Sequence, residues 1–170
     1  MIQNKLESVH KKIGEVALNT SFVHLLAAQI ISRYYQGNSY DFRRISFIHD
    51  VLINNSASFS FITESLKRVL INMGLGKKYV ENIEEKMRKI GNLRNNFAHE
   101  IPLVNQILYL RDKKKIPYCG EGKDYDVEFA NFKELYNQVC LELKKIIYKS
   151  NTKEIKDFPD GYKPPKENFN

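Results

Sequence analysis

A chain of 170 residues with ten Phe, ten Tyr and no Trp is long enough for one domain that buries about 70% of its unfolded surface, so it needs no staples. Twenty-seven Lys and Arg against 20 Asp and Glu give a formal charge of +7, which excludes an acidic, self-solvating chain and favours a polyanionic partner through counterion release. The only cysteines, Cys119 and Cys140, stand in no CxxC and have no His at ligand spacing; neither a zinc site nor a disulfide framework is indicated, no cofactor is expected, and the pattern fits a reducing cytoplasm.

Ile2, Leu6, Val9, Ile13, Val16 and Thr20 alternate in steps of four and three between charged residues, the pattern of an amphipathic first helix. Ser21 is placed to cap a second helix running to about Tyr35. Phe22, Leu25, Leu26, Ala28, Ile30 and Ile31 make that helix apolar on most sides, so it belongs at the centre of a bundle. His24 within it reads as a satisfied core or interface histidine rather than a ligand. The apolar run is broken by His24 and Gln29 and falls short of a membrane span, and the first twelve residues hold no apolar stretch of the secretory kind, so a soluble chain is expected.

Gly37-Asn38-Ser39 ends the second helix. A third is predicted from about Tyr40 to Ile53, with Phe42, Ile45, Ile48, Val51 and Leu52 inward. After the loop 54–58, Ser58 or Ser60 caps a fourth helix carrying Ile62, Leu66, Val69, Leu70 and Met73, which Gly74 and Gly76 stop. Lys77 opens the fifth and longest of the predicted helices.

Val80, Ile83, Met87, Ile90, Leu93, Phe97 and Ile101 give that fifth helix one buried face. At about 100° per residue, Arg88, Asn92, Asn95 and His99 fall on the opposite side, with Asn95 and His99 one turn apart. Arg94 lies between the faces, and its long side chain can bend towards His99. Pro102 ends the helix within a turn of His99. A guanidinium, an amide and an imidazole can therefore converge where the helix is expected to end. The bland alternative is that Arg94 pairs with a carboxylate and His99 caps the helix end. Arg44 and His49 repeat the Arg-x4-His spacing, but Ile45 follows that Arg inside an apolar helix, and the copy reads as accidental.

Residues 104–128 form an insertion. Gln106–Arg111 reads as a strand, Asp112-Lys113-Lys114-Lys115 as a turn and Ile116-Pro117-Tyr118 as a return, with Tyr125–Phe129 a further strand candidate. Lys113, Lys114 and Lys115 are either a solvated hairpin tip or an arm that grips phosphate. Phe129, Phe132, Leu135, Tyr136, Val139, Leu143, Ile146 and Ile147 form the face of a last helix, from about Val127 to Lys149. The expected fold is all-α: a bundle of about six helices over residues 1–150 with a small β-hairpin insertion. Residues 151–170, with Pro159, Pro164 and Pro165, read as a tail. Four lysines there balance four acids, so the positive excess belongs to residues 1–150.

Arg94, Asn95 and His99 resemble the Arg-polar-x3-His signature of the HEPN superfamily. The resemblance implies an all-α bundle that dimerises with both motifs at the two-fold axis and, in many members, a metal-independent endoribonuclease acting as a toxin or phage-defence effector. It implies RNA as substrate, Arg94, Asn95 and His99 as catalytic residues, and an antitoxin or regulatory protein as a further partner. The phrase Leu93 to His99 followed by a strand-like insertion is also similar to the mannitol operon repressor branch, for which no cleavage need follow. Some HEPN toxins carry a modifiable Tyr two residues after the His; here Ile101 stands there, so control by that modification is not expected.

Elementary chemistry suits the three residues to this work. A histidine can take the proton of a ribose 2′-hydroxyl or give one to the departing 5′-oxygen near neutrality. An arginine's planar fork matches phosphate oxygens and stays charged. Two copies facing across a dimer axis supply both proton carriers in one groove. Asn95 can orient His99 or bind the phosphate. Arg88, Asn92 and the three insertion lysines are weaker candidates for substrate contact. The rival from another class is a HEPN-like bundle that regulates or binds without cutting.

Overall fold

In a computed structural model, which describes residues 2–37, 45–53, 58–99, 118–119 and 123–151, the protein is all-α. The described helices are α1 (Ile2–Gln36), a π-helical segment (Phe47–Ile53), α2 (Phe59–Asn72), α3 (Lys77–His99) and α4 (Tyr125–Asn151). A two-rung antiparallel ladder precedes α4, with Tyr118 of β1 (Tyr118–Cys119) opposite Asp124 of β2 (Lys123–Asp124). The expected strand 106–111, its lysine turn and residues 152–170 of the expected tail lie outside the described residues, and Asn151 belongs to α4.

Three local readings are corrected. The first and second expected helices are one helix of 35 residues. The Ser21 hydroxyl does not cap: it donates back to the Ala17 carbonyl at 3.0 Å, as Thr20 does to Val16 at 2.8 Å, and no Gly or Pro between residues 16 and 32 interrupts the ladder. Over Phe47–Ile53 the chain is wound as a π-helix. Its i→i+5 turn shifts side chains off the α spacing, so Leu52 is buried while Ile45 and Val51 are exposed. Tyr125–Phe129 is helix rather than strand. Asp126 and Glu128 sit in that first turn, where carboxylates complement the helix dipole.

The remaining ends follow their residues. Ser58 caps α2 by accepting from the Phe61 amide at 3.1 Å. Gly74, at φ 79°, closes α2 in a Schellman motif, its amide on Ile71 and that of Leu75 on Leu70. Gly37, at φ 81°, ends α1 with its amide on the Arg33 carbonyl.

The chain divides into two compact units, one drawn from Met1–Phe22 and Lys89–Asn137, the other from Val23–Arg88 and Gln138–Asn170. The first unit packs around Phe97, which is 1% exposed. The Tyr125, Phe129 and Phe132 rings meet it edge-on at 4.7, 6.3 and 6.5 Å, a favoured aromatic arrangement. Val9 and Val16 of α1 and Ile90 of α3 complete that core. The Tyr125 hydroxyl is satisfied by the Val9 carbonyl. Lys12 pairs with Asp126 and lies over the Tyr125 and Phe129 rings, its stem covering apolar surface.

In the second unit Ala27, Ala28, Ile30 and Ile31 are buried with Ile62, Leu66, Val69, Leu70, Val80, Ile83, Met87, Val139 and Leu143. Tyr79 of α3 donates to Glu142 of α4 at 2.5 Å. Burial, reinforced by that bond, holds the phenol well above its ordinary pKa. The same bond, with Lys145 and Lys86 nearby, keeps the Glu142 carboxyl below its usual value. Glu84 joins α2 to α3 through Lys67 at 2.8 Å.

His24 is half-buried, and its Nε2 lies 2.7 Å from the Leu52 carbonyl. A carbonyl only accepts, so Nε2 carries the proton. Phe59 meets the ring edge-on at 6.1 Å. Burial lowers the His24 pKa, and the bond to Leu52 opposes this more weakly. The neutral ring is therefore the folded form: its contribution is present above about pH 6.5 and is lost as pH falls through the lowered value. His24→Gln keeps an N–H donor without a titrating ring. Thermal melts should show a smaller fall in Tm between pH 7.5 and 5 for this variant than for wild type; equal falls would remove His24 as the cause.

Candidate active site

The apolar face of α3 fixes the candidate residues in place. Ile90, Leu93 and Phe97 are buried, which turns Asn92, Arg94 and Asn95 outward, all three exposed. Arg94 and Asn95 differ by about 100° in direction, yet the arginine stem is long enough to close the gap. Its Nη1 donates to the Asn95 Oδ1 at 3.0 Å. Among the described residues Arg94 has no carboxylate partner, so none of them cancels its charge. The Asn95 carbonyl orients the guanidinium, and its amide group carries two further donors.

His99 is the last residue of α3. The structure describes its backbone, which stands one helical turn beyond Asn95. The Arg94–Asn95 pair stands about one turn before it on the same helix, and the expected stop at Pro102 lies outside the described residues.

Arg88 has a different role. Its Nε and Nη2 lie 2.9 and 2.7 Å from the Glu84 Oε1, and Nη2 is 3.5 Å from the Glu64 Oε2. Lys67 and Arg88 together hold the Glu84 carboxyl below its usual pKa. Two carboxylates thus share the Arg88 charge, which ties α2 to α3 and weakens it as a phosphate ligand. The spacing rule that placed Arg88 beside His99 carried no information on Glu64, two dozen residues earlier. Lys113, Lys114 and Lys115 lie outside the described residues. The second Arg-x4-His differs in kind: its His49 is exposed and pairs with Asp50 at 3.0 Å.

Among the described residues no cluster of His, Cys, Asp and Glu is arranged to hold a metal ion, and no helix is long and apolar enough to cross a membrane. No protein-family model, curated protein or solved structure matches the chain. The functional reading rests on its own residues.

Proposed function

We propose that the protein is an endoribonuclease of HEPN type, an RNA-cutting toxin or defence effector of the cytoplasm that works as a homodimer without a metal. The observation that carries this reading is the exposed Arg94–Asn95 pair, uncancelled by any described carboxylate, about one turn before His99 on the same helix. Arg94 supplies a fixed cation for the crowded phosphorane. His99 supplies the proton carrier, taking the 2′-hydroxyl proton as that oxygen attacks phosphorus. A second His99, from the partner protomer, protonates the departing 5′-oxygen. The products are a 2′,3′-cyclic phosphate and a 5′-hydroxyl.

The test is incubation of the purified protein with mixed single-stranded RNAs in excess EDTA, followed by end-group analysis. Cyclic phosphate ends are expected. Absence of cutting across a broad substrate panel would leave the regulator or binding module, with an antitoxin-like partner no longer required. Light scattering at micromolar concentration should give twice the chain mass of 19.9 kDa. A monomer at all salt concentrations would remove the basis for a composite site.

A further inference from the structure

The C-terminal half of α4, within the second unit, has an unusual solvent face. Leu141, Lys144, Lys145 and Tyr148 follow one another at i, i+3, i+4 and i+7, which places them on one side of the helix. Leu141 is 55% and Tyr148 65% exposed, and Lys144 and Lys149 are exposed beside them. From Gln138 to Asn151 the helix holds one acid, Glu142. That carboxylate is occupied by Tyr79 at 2.5 Å and by Lys145 at 3.2 Å. Lys86 of α3 stands close enough to Glu142 to act on its charge.

Helix-dipole compensation accounts for Lys149, in the last turn, but falls off before Lys144 and Lys145. It gives no reason for an exposed tyrosine and leucine among lysines. Cations that track a backbone and an aromatic ring on which bases stack are what single-stranded nucleic acid requires. Charge complementarity selects a polyanion over a second copy of this basic face.

We propose that the α4 face of Leu141, Lys144, Lys145, Tyr148 and Lys149, with Lys86 at its rim, is a binding surface for single-stranded RNA, its lysines on phosphates and Tyr148 stacked on a base. The proposal rests on the RNA reading above but not on cleavage. It assigns substrate capture to a surface that holds none of Arg94, Asn95 or His99.

Fluorescence anisotropy with a labelled single-stranded 20-mer RNA tests it, using the full chain with His99→Ala so that the probe stays intact. Replacing Lys144, Lys145 and Lys149 together by Gln should weaken binding at least tenfold. It should also flatten the dependence of log K on log salt by about 2, at about 0.7 per phosphate. Tyr148→Ala should weaken binding about tenfold at unchanged salt slope, and Tyr148→Phe should restore it. Lys77→Gln, which removes a lysine 3.9 Å from Glu81, should change nothing. All these side chains are exposed, so circular dichroism should match the parent.

Normal affinity and slope in the triple variant overturn the proposal, as does equal binding of single-stranded and duplex RNA by the parent. A triple variant that binds RNA normally but changes in mass marks the face as a contact between copies and overturns it too. RNA bound but never cut by wild type sinks the nuclease reading and leaves this surface standing. RNA cut by wild type and bound normally by the triple variant does the reverse.

Discussion

His99→Ala should lower RNA cleavage by about 10²-fold or more, because it removes the group that moves the proton in both halves of the reaction. Arg94→Ala should act through a different loss. Its guanidinium is exposed and held by the Asn95 Oδ1 at 3.0 Å, so replacement removes an oriented phosphate cation and leaves no unpaired carboxylate among the described residues. Arg94→Lys should rescue poorly, since an ammonium cannot reproduce the two-pronged geometry. Asn95→Asp sharpens the case. A carboxylate in place of the amide oxygen would still accept from Arg94 but would cancel its charge, so cleavage should fall while stability holds. Single-turnover rates in EDTA, with circular dichroism as a check on folding, measure all four. Unchanged rates for His99→Ala would rule out the chemistry and shift the case to the binding module.

The α3 stripe was readable because burial needed only one helix's spacing: Val80, Ile83, Met87, Ile90, Leu93 and Phe97 are all buried. End signals that act through the backbone were readable too, as at Ser58 and Gly74. Serine is ambiguous by nature, however. Ser58 caps a helix, whereas Ser21 returns its hydroxyl to its own helix at Ala17, and one position's chemistry does not distinguish the two. Tyr125–Phe129 alternates like a strand, but Tyr125 and Phe129 are also i,i+4 neighbours, and both rings meet Phe97. Tertiary packing decided between the periods.

The π-winding at Phe47–Ile53 left no mark in composition. Pairs such as Tyr79–Glu142, 63 residues apart, are invisible to any local pattern. The candidate site was legible as far as it is local. Arg94 and Asn95 touch because they are neighbours; Arg88 pairs with Glu84 one turn back on its own helix, and with Glu64, which no local pattern reveals.

Phe97→Ala should be the most destabilising single change in the first unit, at about 3–5 kcal/mol. The side chain is 1% exposed and contacts Tyr125, Phe129 and Phe132 together, so truncation leaves a cavity lined by three rings that cannot all collapse inward. A loss of that size is a large part of the roughly 5–15 kcal/mol that holds a domain folded. Phe97→Leu keeps much of the volume and should cost clearly less. Arg94→Ala, on the exposed side of the same helix three residues earlier, should cost no more than about 0.5 kcal/mol. Urea unfolding should show the Phe97→Ala midpoint well below the other two. The contrast separates two ways of losing activity at one helix end: Phe97→Ala would act by loosening the turns that carry Arg94 and Asn95, and Arg94→Ala by chemistry alone. A Phe97→Ala protein with the wild-type midpoint would show that the aromatic cluster does not anchor the site.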